Sequence, residues 1–164
     1  MDFTSAHPED VLFDAARRGD VAQLQALLAT GLDLDTQNAK GFTALILASY
    51  DDHLAATQYL LEAGADPNRQ DATGNSALMG VSFKGYADIA RQLIQHGADL
   101  NLQNGNGGTA LMFATLFGRN EVVKILLAAG ADTTLRDVRG LTALHLAGQQ
   151  GNEEAWKLLG GKDD

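Results

Sequence analysis

Gly41, Gly74, Gly107 and Gly140 stand 33 residues apart without slippage. Gly31, Gly64, Gly97 and Gly130 keep the same step, and so do Asp33, Asp66, Asp99 and Asp132. On that period Thr43, Ser76, Thr109 and Thr142 form one column, followed by Ala44, Ala77, Ala110 and Ala143 and then by Leu45, Leu78, Leu111 and Leu144. The apolar pairs Leu27-Leu28, Leu60-Leu61, Leu93-Ile94 and Leu126-Leu127 repeat in step with them. A fixed period of this length constrains the fold severely. Each copy is one supersecondary unit that cannot bury its apolar face alone, so the copies must stack.

Within a copy, Leu111 and Ala114 follow helical spacing, and Val122, Val123, Leu126 and Leu127 follow it again after a glycine break. This predicts two short helices per copy. Gly19, Gly85, Gly118 and Gly151 end the first of them, and a left-handed cap accounts for glycine there. The second copy has Asp52 at that position, which predicts a non-glycine residue in the same backbone region. The terminal copies depart from the pattern, as the ends of a stack must. Glu9, Asp10 and Asp14 fall on the first helix, and Trp156 stands where inner copies carry Thr57, Ala90 and Val123. Trp156 reads as an apolar plug for the last helix pair. Gly80 falls in the column of Leu47 and Phe113, where a missing side chain makes room for a bulky neighbour.

The stretches "GFTALILAS", "GNSALMGVS", "GGTALMFAT" and "GLTALHLAG", with "LLEAGADPN", "LIQHGADLN" and "LLAAGADTT", carry a family resemblance. They resemble the ankyrin-repeat family, whose period is 33 and whose signature reads T-P-L-H-x-A. A divergent first copy, "VLFDAARRGDVAQLQALLATGLDLD", keeps the spacing with Leu12 and Ala15 in register. The resemblance covers roughly residues 8 to 160. It implies an all-α solenoid of five helix-turn-helix repeats with β-hairpin-like finger turns between them. The chain then reads as a single domain over 1–164, with an N-cap repeat at about 8–37. Inner repeats would occupy 38–70, 71–103 and 104–136, and a C-cap repeat 137–160. By the same resemblance His145 fills the histidine column, whose imidazole bonds the turn backbone and the neighbouring threonine.

Composition narrows the function. The chain has 164 residues, an apolar share of 45% and no cysteine, so thiolate metal sites and a cysteine nucleophile are excluded. A net charge of −9 argues against nucleic acid and against an anionic membrane surface. No apolar run reaches membrane-spanning length, and "MDFTSAHPED" lacks the pattern of a signal peptide. A cytoplasmic setting is expected, or a periplasmic or secreted one if a signal peptide has been removed.

Catalytic constellations are missing. His7, His53, His96 and His145 occupy four different repeat positions, with no i,i+4 pair. "DLDTQNAKG" begins like a calcium loop but has Asn38 where that loop needs glycine. "GNGG" at 105 to 108 lacks the G-K-[ST] of a phosphate loop and falls in a finger turn. The expectation is a non-catalytic protein with no cofactor and no metal.

The resemblance places binding on the finger tips and on the exposed ends of the first helices, which line a concave face. On this chain the principal candidates are Phe42, Tyr50, Phe83, Lys84, Leu116, Phe117, Arg139 and Leu141. Gln37, Gln70, Gln103 and Arg136, preceding each finger, extend the set, as do Gln149 and Gln150. Tyr50, Phe83 and Leu116 fall in one column with Phe117 and Phe42 beside it, as an aromatic interaction stripe would. Packing between adjacent helices is the competing use of the same rings. The wider set of variable positions holds six of the twelve basic residues and one acid, Asp51, which predicts a mildly basic face. The expected partner is a protein, bound by a chain that is monomeric on its own. The small size resembles compact bacterial ankyrin proteins, which implies an inhibitor or immunity partner of a toxin, or a stabiliser of one enzyme. A self-assembling structural unit is the alternative.

Overall fold

The computed structural model describes residues 7–163. Ten helices among them form five pairs: α1 (Pro8–Arg18) with α2 (Val21–Leu28), α3 (Ala44–Tyr50) with α4 (Leu54–Glu62), α5 (Ala77–Lys84) with α6 (Ala87–Gln95), α7 (Ala110–Leu116) with α8 (Asn120–Ala128), and α9 (Ala143–Gln150) with α10 (Glu153–Leu158). The first helix of each pair packs beside the first helices of its neighbours, and the second helices form a parallel outer row. The protein is an all-α helical solenoid. None of the helices is long or apolar enough to cross a membrane.

Helices this short are marginal in water, so their stability comes from packing between pairs. Leu12, Leu45, Leu78 and Leu111 form a buried row through the first helices, and Leu24, Leu60, Leu93 and Leu126 do the same in the outer row. Each side chain buried in this way contributes roughly 1.5–3 kcal/mol. The threonine and serine column starts the inner helices. Thr43, Ser76, Thr109 and Thr142 accept from the amides of Ile46, Met79, Met112 and His145. Each such cap is worth about 1 kcal/mol.

Hydrogen bonds tie the pairs into a stack in three ways. Among the described residues no strand is formed, but each finger closes like a hairpin: the amides of Asn38, Asp71, Asn104 and Asp137 donate to the carbonyls of Phe42, Asn75, Gly108 and Leu141. Finger joins finger through Ala72 to Lys40, Gly105 to Thr73 and Val138 to Asn106, at 2.9–3.0 Å. Side chains at the start of the outer helices reach back one repeat. His53 donates from Nε2 to the Arg17 carbonyl at 2.6 Å, Arg119 to Phe83 and Asn152 to Thr115 at 3.0 Å. Below the fingers, Asp35, Asn68 and Asn101 accept from the amides of Asp66, Asp99 and Asp132 in the next copy.

The irregular backbone position read from the sequence is present in the structure. Asp52 adopts φ +63°, the sole non-glycine residue with positive φ among those described. The last outer helix is shortened, with α10 running six residues where α4, α6 and α8 run nine. Gly160, at φ +91°, ends it, and the Gly161 amide donates to the Trp156 carbonyl at 2.8 Å. The Trp156 ring, half-buried, lies against Gly148 and Gly161, where a side chain would collide with it. His145 is exposed, while Ile46, Met79 and Met112 in the same column are buried. The polar residue therefore occurs in the copy whose column is left uncovered among the described residues.

Replacing Asp52 with glycine removes the left-handed strain of about 1 kcal/mol; thermal unfolding is expected to show an unchanged or higher Tm. The finger glycines give a second test. A Cβ on Gly74 would come within 2.9 Å of the Gly105 amide nitrogen, whereas one on Gly140 meets nothing within 4 Å. Both sit at positive φ. Gly74→Ala should therefore cost at least about 1 kcal/mol more than Gly140→Ala, because it adds a backbone collision to the same strain. Denaturant unfolding of the two variants measures the difference.

Candidate functional site

The first helices end on the finger side of the stack and present a row of rings there. Tyr50 closes α3 and is 40% exposed; Phe117 caps α7 and is 44% exposed. Phe83 is half-buried and meets Phe117 edge to face, with centroids 4.6 Å apart and planes at 77°. The Lys84 ammonium stands 4.7 Å above the centre of the Tyr50 ring, within cation–π range. Neighbouring repeats thus link their rings into one strip that runs from α3 to α7.

The fingers form the opposite wall. Three depressions open between the walls: one of about 560 Å³ between Lys40, Phe42, Tyr50 and Ala72, one of about 240 Å³ between Tyr50, Phe83 and Phe113, and one of about 370 Å³ between Phe113, Leu116 and Arg139. Together they follow the strip across four repeats. Val138, 71% exposed, projects from the last finger tip.

Of the eight principal candidates, Phe42, Tyr50, Phe83, Leu116 and Arg139 line the depressions, while Lys84 and Phe117 join the strip through Tyr50 and Phe83, with unequal exposure. Tyr50 and Phe117 are open, Phe83 and Lys84 are half-buried, and Arg139 is exposed. Phe42, Leu116 and Leu141 are half-buried and pack against the core, so the competing packing use is also present. Gln149 and Gln150 are exposed at the end of α9.

Two expectations need correction. Gln37, Gln70 and Gln103 do not offer their amides to a partner. Each donates both to its own finger (the carbonyls of Gly41, Gly74 and Gly107) and to the following repeat (those of Gln70, Gln103 and Arg136), at 2.7–3.2 Å. Arg136 continues the ladder to the Gly140 carbonyl. A residue type that recurs on the 33-residue period was itself the sign of a scaffold role. The basic character is also weaker than the residue count suggests. Arg18 pairs with Asp14 and Asp20, and Arg139 with Asp137 at 3.0 Å. Asp71 and Asp137 also line the depressions, each carboxylate closed over the amides of its own turn. Burial pushes the Asp137 carboxyl up, but the Leu141 amide and then the Arg139 guanidinium outweigh it and hold the group below its ordinary value.

The histidines have local partners. His53 ties two repeats together, and the His96 ring bonds the Gln92 carbonyl. His145 Nδ1 accepts from the Thr142 amide at 3.0 Å, closing a reciprocal cap at the start of α9. "GNGG" serves finger packing, since a Cβ on Gly107 would come within 2.9 Å of the Asp137 Cα.

Comparison with known proteins agrees with this architecture. The family model for ankyrin repeats (3 copies) matches residues 12–104 and 78–163. Ankyrin repeat domain-containing protein 29 of Danio rerio is 46% identical over 55 residues, which cover 32% of this chain and 18% of that protein. The chain thus matches less than a fifth of that relative's length. With its period, its stacked helix pairs and a family match that runs over most of its length, the chain belongs to the ankyrin-repeat family.

Proposed function

We propose that this chain is a non-catalytic module that captures a protein partner on its finger-side face. The observation that carries the reading is the linked strip of Tyr50, Lys84, Phe83 and Phe117, partly exposed and bordered by depressions on the finger side. Ankyrin repeats are generally protein-interaction modules, and aromatic side chains are enriched at interface hot spots. Phe42, Leu116, Arg139 and Leu141 complete the surface, the first two and Leu141 as half-buried walls. Biologically, the reading is an inhibitor, an immunity partner or a stabiliser of one enzyme or toxin, acting as a monomer in the cytoplasm.

Phe83→Glu combined with Phe117→Glu is the direct test. The double variant should lose partner capture from the native cell, read by affinity purification and mass spectrometry. It gives up an aromatic pair worth about 1 kcal/mol, so its Tm should fall by only about 2–4 °C. A collapse in Tm would show that the rings are core and would overturn the assignment. Light scattering across concentration separates hetero-partner binding from self-assembly.

A further inference from the structure

The turns between first and second helices form one edge of the stack, and a chain of clasps runs along it. His53 reaches back over the Gly19 turn to the Arg17 carbonyl, Arg119 over the Gly85 turn to the Phe83 carbonyl, and Asn152 to the Thr115 carbonyl. Tyr86 holds the same column in the third pair. Its ring packs half-buried against the core, and no hydrogen bond joins its side chain to α3 among the described residues. The chain of clasps is therefore broken once, between the second and third pairs.

The turn residue explains the break. A Cβ on Gly19 would come within 2.5 Å of His53 Nδ1, and one on Gly85 within 2.8 Å of Arg119 Cδ, so these long side chains pass only over glycine. Asp52 takes the equivalent position after α3 with φ +63°, close to the +67° of Gly19, and its Cβ points into the space a clasp needs. Packing is thin at the same place. The column Leu47, Gly80, Phe113 and Leu146 lacks a side chain only in α5, where the Tyr50 ring stands against the bare backbone beside the depression of about 240 Å³. What crosses this junction at the turn edge is the Lys84 ammonium over the Tyr50 ring, a weak contact at an exposed site. Between the second helices, Gln92 of α6 bonds Gln58 at 2.9 Å and approaches the Leu54 carbonyl at 3.4 Å. The opposite edge is fully tied: Asn68 accepts from the Asp99 amide and donates to the Gly97 carbonyl, and the Ala72 amide donates to the Lys40 carbonyl.

We propose that the stack is hinged at this junction, its turn edge opening and closing between α4 and α6 while its loop and finger edge stays joined. Repeat stacks are held by nearest-neighbour interfaces, so one interface short of a contact separates two blocks. The first two pairs form one block and the last three form the other. Tyr50 belongs to the first and Phe83 to the second, so the hinge sets the spacing between them. Phe83 and Phe117 lie within one block and keep their edge-to-face contact. The inference is independent of what the face binds.

Distances between nitroxide labels, measured by electron paramagnetic resonance on the full chain, test it. The chain has no cysteine, so labels go only where cysteines are introduced. Ala22, Ala55, Asp88 and Glu121 are exposed and occupy one column, the second position of each second helix. Three double-cysteine proteins are compared: Ala22→Cys with Ala55→Cys, Ala55→Cys with Asp88→Cys, and Asp88→Cys with Glu121→Cys. The 55–88 distribution should be broader than the other two and extend to longer distances. The 22–55 pair is the stringent control, because among the described residues no side-chain bond joins α2 to α4, while His53 clasps their turns. Adding Asp52→Gly together with Tyr86→Arg copies the Gly85–Arg119 clasp and should narrow the 55–88 distribution to match its neighbours, while neither substitution narrows it singly. Tyr86→Arg gives up core packing, so should that variant fail to fold, the three pairs in the parent chain decide the matter. A 55–88 distribution as narrow as the other two overturns the hinge. So does a folded double variant whose 55–88 distribution stays broad, or a single substitution that narrows it as far as both.

Discussion

Everything in this molecule depends on the docking of one helix pair against the next. No pair could persist alone, because its helices are shorter than water tolerates and its apolar face is covered by its neighbours. The buried leucine rows supply the non-directional part of the attraction. The register comes from hydrogen bonds that span one repeat: the glutamine ladder, the bonds between fingers, and the reach of His53, Arg119 and Asn152. These bonds have no tolerance for slippage. That is why the period is held at 33 residues, and why a glycine must stand wherever one finger backs onto another.

A scaffold held in this way concentrates its non-periodic side chains on the finger tips and the ends of the first helices. Finger tips and first-helix ends face each other across the groove, and their backbones are already fixed by the stack. A face preformed in this way would lose little conformational freedom on binding a partner. The charge distribution follows the same division. Asp33, Asp66, Asp99 and Asp132 each accept from a backbone amide two residues on, so many of the acids that give the chain its net charge serve turns away from the groove. The net charge of −9 is therefore a poor guide to the charge of the finger-side face.

The fold was legible because its determinants are periodic. Thr43, Ser76, Thr109 and Thr142 repeat because each starts a helix, and Asp52 stood out because the other copies have glycine there. The ends were legible as departures from the period, as Trp156 shows. The site was less legible, because recurrence marks a side chain as scaffold without showing which groups it bonds, and a side chain that does not recur carries no such mark. Gln37, Gln70 and Gln103 lie beside the fingers and looked available, yet their amides are consumed by carbonyls of two repeats. Arg139 looked like a free cation, but Asp137, two residues away and nearly covered, holds it. The division of Phe42, Leu116 and Leu141 between wall and core also required the third dimension.

If recognition belongs to the finger-side face, the outer helices only support it, and the two surfaces should behave differently toward a partner. A photo-crosslinking side chain introduced at Phe117, compared with one at the exposed Lys124 of α8, tests this in the native cell whatever the partner's identity. A discrete adduct of higher mass is expected from position 117 and none from position 124. An adduct from position 124 with none from position 117 would place the partner on the outer row and contradict the assignment.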